Sequence, residues 1–237
     1  METMSDAKPL KLHLGCGQKY LSGYVNIDYP PAEHTVMNVK ADVYSDIRAL
    51  RYENNSVDEI RAHHVFEHFS RAEALKMLFL WRRWLKPGGV LRLETPDFGK
   101  CALLYANSGF KYRMELGRHM LGSQEAKWAY HYDFWDKEKF RYVLRESGFV
   151  DIHTKQYANS FAQRFSFVPF GNIIGRLIPR FVYSLVGGHK LPNIEVTARK
   201  NTLEIDERKA AETILSLYLV GNEKKDLLDV WVNEVFA

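Results

Sequence analysis

The chain has 237 residues, 46% hydrophobic and 14% aromatic, which is enough apolar material for a sizeable core and too much for a wholly disordered chain. A net charge of +4 is mild and requires no nucleic-acid partner. Two cysteines, Cys16 and Cys101, make neither a disulfide framework nor a cysteine-rich zinc site.

The apolar run of residues 10–14 reads as a strand, residues 24–28 as a second and residues 36–42 as a third. "SVDEIRAHHV" opens a fourth at Ser56. Ser70 and Glu73 have the spacing of a capping box, and Leu75, Leu78, Phe79 and Leu85 continue at helical spacing. "KPGG" at residues 86–89 stops that helix, and "VLRLETP" follows as a strand. Residues 98–130 read as a partly helical insertion. Asp136 caps a helix with Phe140, Val143 and Leu144 on one face, ended by Gly148. Residues 149–157 and 194–199 read as the last strands, and residues 202–237 as two amphipathic helices broken at Gly221 and Asn222. Strands alternating with helices predict an α/β chain with a mostly parallel sheet.

A strand feeding "GCG" brings backbone close to a ligand, since glycine has no Cβ, at the carboxyl edge where open α/β sheets bind ligands. The dinucleotide fingerprint would need a third glycine at Tyr20 and an acid farther on than Asp28. Asp28 nevertheless suits the two hydroxyls of a ribose. The connection from Gly15 to Gly23 is too short for a crossover helix, so residues 18–22 are expected as a loop or single turn. A nicotinamide dehydrogenase is the remaining rival.

"LGCG", then Gly23-Tyr24-Val25-Asn26-Ile27-Asp28, then "DIRALRYENNSVDEIRAHHVFEHF", a helix, "LKPGG", a strand and "TP" together resemble the class I S-adenosylmethionine (SAM)-dependent methyltransferases. The likeness is greatest to the small methyltransferases found beside glycosyltransferases in polysaccharide-building pathways, and it covers residues 10–149. It departs at "LRY", where that group commonly shows "LPF". The resemblance implies a Rossmann-like, mostly parallel sheet with a shortened first crossover and a C-terminal helical appendage. Residues 1–200 would form the methyltransferase domain, with acceptor-side insertions at 98–130 and 158–193, and residues 201–237 a helical tail. It implies SAM as cofactor: Gly15 and Gly17, with Cys16 between them, approach its methionine part. Asp28 would take the ribose and Asp46 the adenine amino group, with Asp42 as the alternative. Ile47 would pack on the ring, and His63 and His64 would end the fourth strand beside the sulfonium. The implied acceptor is a hydroxyl, on a sugar or a lipid-linked glycan; a small metabolite, or a non-catalytic SAM-binding scaffold, are the alternatives.

His64, His68 and His131 are rival general bases, since a hydroxyl acceptor benefits from one. His64-x-x-Glu67-His68 also matches an inverted zinc-protease pattern, but that pattern must lie inside a helix, and the helix signals start only at Ser70. Ubiquinone-biosynthesis O-methyltransferases show a similar E-x-x-E-H thought to hold a divalent ion; here His64 stands in the first position. The preferred reading assigns no metal, with Glu67 and His68 ordering the loop by local hydrogen bonds.

From Ile152 to Ile194 there is no acid, while Lys155, Arg164, Arg176, Arg180 and Lys190 sit among aromatics and aliphatics. Peripheral membrane contact through 158–193 is one reading, and packing on the sheet with a solvated basic rim the other. The polar first residues read as no secretory signal, and glycines, arginines and a proline interrupt the apolar stretch of residues 165–186. A cytoplasmic location is expected, at the inner face of the membrane if that contact is made. The apolar stripe of Leu227, Leu228, Trp231, Val235 and Phe236 suits intramolecular packing or a homodimer contact.

Overall fold

The computed structural model describes residues 8–34, 37–160, 190–221, 223 and 225–237. Seven strands form one sheet in the order β3-β2-β1-β4-β5-β7-β6. β1 (Lys11–Leu14), β2 (Val25–Asp28), β3 (Val43–Tyr44), β4 (Val57–His63) and β5 (Leu85–Pro96) are parallel. β7 (Lys190–Lys200) lies antiparallel between β5 and β6 (Phe149–Ser160). The expected mostly parallel Rossmann-like sheet is thus what forms, with β1 and β4 adjacent at its centre.

Side chains that alternate along these strands divide the two faces. Leu12, Leu14, Ile60, Ala62, Leu91, Leu93, Val196 and Ala198 face a core that also takes in Phe66, Phe79, Trp81, Trp84, Phe140 and Phe149. Burying each large side chain of this kind stabilises the fold by about 1.5–3 kcal/mol. Helix α1 (Arg71–Trp84) supplies several of them. Its capping box is formed: Glu73 N donates to Ser70 Oγ at 3.2 Å, and Ser70 N to Glu73 Oε2 at 3.4 Å. The opposite face carries Lys11, His13, Glu59, Arg61, His63, Arg92 and Glu94, several of them cross-linked. Glu59 Oε1, for example, accepts from Arg92 Nε and from Tyr24 Oη, both at 2.7 Å.

Four local expectations are corrected. The third strand is not at residues 36–42 but is the two-residue β3. Asp42 is where the chain first reaches β2: its N–H bonds Asn26 O (2.8 Å), and its carboxylate accepts from Asn26 N (2.8 Å). β5 starts at Leu85, which pairs with Val57; the next pair is Glu59 with Val90, so the "KPGG" segment, exposed at residues 86–88, bulges from the ladder instead of merely ending the helix. Pro87 disfavours helix at Lys86, consistent with the helix stopping at Trp84. β6 and β7 run past the predicted bounds, to the Ser160–Lys190 pair, because their antiparallel ladder continues.

The insertion after β5 forms α2 (Phe98–Ala106) and α3 (Phe110–Leu121), and the helix capped by Asp136 is α4 (Lys137–Glu146). Helices α5 (Glu207–Ser216) and α6 (Lys225–Phe236) pack on α1 and bring Ala211, Leu215, Val232 and Val235 into the same core; of the apolar stripe Val235 is buried, Leu228 and Trp231 pack half-buried against that core, and Phe236 is exposed. Most of residues 158–193, on which the membrane reading rests, lies outside the described residues. Among the described residues no helix is long and apolar enough to cross a membrane.

Candidate functional site

The connection from β1 to β2 holds no helix, as the spacing predicts. Side chains hold it instead. Asn26 accepts from Leu21 N (2.9 Å) and donates to Leu21 O (3.0 Å), while Tyr20 Oη donates to Asp42 Oδ1 (2.7 Å). Asn26, the group's "N" before Ile27-Asp28, is therefore the clamp of the shortened crossover, a role sequence reasoning missed. Asp42 belongs to this clamp and does not line the cavity below.

Gly15 and Gly17 turn the chain at the carboxyl end of β1 with φ of +62° and +53°, a region that disfavours side chains. A Cβ on Gly15 would also collide with the Val65 side chain. Gly17 N donates to Asp28 Oδ2 (2.6 Å) and Tyr29 N to Asp28 Oδ1 (2.7 Å). The Asp28 carboxylate is thus fixed at the tip of β2 by two backbone donors, with acceptor capacity remaining. His34 Nε2 lies 3.2 Å from Asp28 Oδ1, near enough for an ion pair although its ring N–H is not directed at the oxygen.

Below this turn is a cavity of about 1160 Å³. Gly15, Cys16, Gly17, Asp28, Asp46, Ile47, His63, His64 and His68 all line it, joined by Tyr29, His34, Trp128 and Tyr132, which the sequence did not single out. Burial pushes the Cys16 thiol up to about 12, so it is a packing group and not a nucleophile. Asp46 caps the short turn Ile47–Ala49, and Arg48 grips its carboxylate with Nε (2.9 Å to Oδ1) and Nη2 (2.7 Å to Oδ2).

At the end of β4, Glu94 and Glu67 gather the histidines. His63 Nδ1 is 2.9 Å from Glu94 Oε2. His64 lies between the two acids, Nδ1 3.1 Å from Glu67 Oε1 and Nε2 3.3 Å from Glu94 Oε1. Burial opposes charge on His64, but the two carboxylates overcome it and hold the pKa at about 10. Burial is the largest single influence on the ring, and the two carboxylates outweigh it only together. His64 is therefore a cation at neutral pH and cannot serve as a general base. Burial instead lowers His131 to about 4, against the nearby Glu67. His131 does not line the cavity; it stands against Glu67, its Nε2 3.9 Å from Oε1. Of the three rival bases, only His68 is both on the wall and outside the Glu67–Glu94 ion pairs. His64, with φ +51°, precedes the short 3₁₀ turn Phe66–His68, so the zinc-protease pattern is not carried on a helix.

Linkage gives a pH test. The folded state raises His64 above its ordinary 6.5, so its contribution to stability is complete below about 6.5 and is lost as pH rises through about 10. Denaturant midpoints measured across that window should fall less for His64→Gln than for the wild type. An equal fall in both proteins would show that His64 is not held as a cation.

Residues 12–93 match the model of a family described as a methyltransferase domain. No curated protein matches the chain. Among solved structures, a putative methyltransferase from Bacillus halodurans C-125 is 15% identical with a TM-score of 0.48, covering 83% of this chain and 94% of that one. A SAM-dependent methyltransferase from Methanosarcina mazei is 16% identical with a TM-score of 0.48, covering 84% and 95%. Phosphoethanolamine N-methyltransferase 2 of Haemonchus contortus, in complex with SAM, is 13% identical with a TM-score of 0.43, covering 84% and 50%. The strand order described above is that of a Rossmann-like, mostly parallel sheet, and the match to the methyltransferase domain takes in its residues 12–93.

Proposed function

We propose that this methyltransferase domain binds SAM in the cavity beside Gly15 and Gly17 and passes its methyl group to a hydroxyl, on a sugar of a glycan under assembly. The observation that carries the cofactor reading is Asp28, anchored by Gly17 N and Tyr29 N and presenting its remaining lone pairs to the cavity. SAM is the cofactor, and it supplies a methyl group already activated on a sulfonium. A dinucleotide fits poorly: its pyrophosphate rests on the N-terminus of a helix following the glycine turn, and residues 15–24 contain no helix. Asp46 and Ile47, which line the same cavity, would take the adenine, although Arg48 already occupies much of the Asp46 carboxylate.

Two features of the wall support a sugar acceptor. Tyr29 and Trp128, with ring centroids 6.2 Å apart, and Tyr132 offer aromatic faces to the apolar side of a pyranose. Lys19 and Lys127 suit a diphosphate carrier. Such an acceptor would be met in the cytoplasm, free or at the inner face of a membrane. Positioning of the two substrates supplies much of the rate; the hydroxyl proton is handled at the His68 edge.

Calorimetry with SAM and NAD side by side should give saturable binding of SAM alone. Labelled SAM should then methylate a member of a panel of nucleotide sugars and lipid-linked glycans. Binding of NAD in place of SAM would sink the cofactor reading, and transfer only to small metabolites would sink the glycan reading.

A further inference from the structure

We infer that Glu67, His68 and His131 form a binding site for one divalent transition-metal cation at the acceptor edge of the cavity. One ligand atom from each lies within 4.8 Å of the others. His68 and His131 use their rings alike: His68 Nδ1 is 3.0 Å from Tyr130 O, and His131 Nδ1 is 3.1 Å from Met120 O. A carbonyl only accepts, so each Nδ1 carries a proton, and in the neutral ring the lone pair is on Nε2. A metal-bound histidine is oriented in this way by its other nitrogen.

Glu67 provides the independent observation. Its side chain is 2% exposed; Oε1 pairs with His64, but Oε2 is buried without a hydrogen-bond partner. An unpaired buried carboxylate oxygen is costly, and a cation would give it a partner. The framework is already built, because the carbonyl of Glu67 accepts from Tyr132 N (2.9 Å) and so ties the turn to the segment carrying His131.

Two imidazoles and one carboxylate suit zinc, cobalt, manganese or ferrous iron better than calcium or magnesium. Metal–ligand distances of about 2.0–2.2 Å require the donors to draw together by roughly an ångström. The ligand set is not the one the E-x-x-E-H likeness would give: His64, in the first position, is committed to two carboxylates, and His131, outside the motif, takes its place. His68 lines the cavity, so the open coordination positions lie on that side. On the methyltransferase reading, an acceptor hydroxyl bound there would be acidified; the site itself does not depend on that reading.

The test is titration of the metal-stripped protein with Co²⁺, without SAM, followed by visible absorption and equilibrium dialysis. The wild type should take up one equivalent. Loss of an outer partner alone weakens metal sites about 10- to 100-fold, so Glu67→Gln, His68→Ala and His131→Ala should each weaken binding by at least that, with circular dichroism unchanged. His64→Gln should retain the Co²⁺ band. No saturable uptake by the wild type would overturn the site, as would uptake retained in both Glu67→Gln and His131→Ala. Loss of uptake in His64→Gln would overturn this ligand set. SAM binding is read separately, so failure of the cofactor reading leaves a distinct signature.

Discussion

Replacing His68 with alanine should lower turnover by about 10²- to 10⁴-fold, the usual range for a group that manages a proton in the transition state, and leave SAM affinity unchanged. His64 is held as a cation by Glu67 and Glu94, and His131 is off the cavity wall. His68 remains, on the wall, with Nδ1 tied to Tyr130 O, which in the neutral ring leaves the lone pair on Nε2. The effect follows whether Nε2 takes the acceptor's proton or holds an ion that acidifies the hydroxyl. It should appear in kcat and kcat/KM together, because the interaction belongs to the transition state. Steady-state turnover with an acceptor from the panel, beside a calorimetric SAM titration, measures both. Unchanged turnover would remove His68 from the chemistry, and a parallel loss of SAM binding would make its role structural.

Asp28→Ala should weaken SAM binding by about 100-fold or more. Hydrogen bonds to a charged group contribute about 1.5–3 kcal/mol each, two ribose hydroxyls are at stake, and each 1.4 kcal/mol is a factor of ten. The substitution also removes the acceptors of Gly17 N and Tyr29 N, so the glycine turn loses its anchor. Asp28→Asn separates the two effects. It keeps one carbonyl oxygen but not the charge, so its SAM affinity should fall between wild type and alanine with less loss of melting temperature. Calorimetry and thermal melts decide it; an alanine variant that binds SAM within about threefold of wild type would place the ribose elsewhere.

Much of the sheet was legible because its signals are local. Ser70 and Asp136 cap helices by side-chain chemistry that acts over three residues, and both caps form. The glycine turn and Asp28 were legible for the same reason, the one needing positive φ and the other ending a strand. What was missed depends on contacts between distant segments. The third strand begins where Asp42 meets Asn26, and no periodicity in residues 36–42 reports that pairing. The choice among His64, His68 and His131 could not be made from spacing, since it turns on Glu94, one strand away, and on carbonyls of residues 120 and 130. Tyr29 and Trp128 meet across nearly a hundred residues. The Asn in "VNID" was the one available signal for the loop clamp, a polar residue in the middle of a buried strand.

The crossover without a helix also bears on the order in which the chain folds. Ten residues, 15–24, separate β1 from β2, and each doubling of a loop adds about 0.6 kcal/mol to the entropy lost on closing it. A connection half the length of a helical one spares about that much, and it spares it at the glycine turn. The other half of the sheet closes over far longer spans, with Leu91 pairing to Ala198 about a hundred residues away. Contacts near in sequence form sooner than distant ones. The β1–β2 end is therefore favoured to assemble first, giving the later strands an edge on which to build.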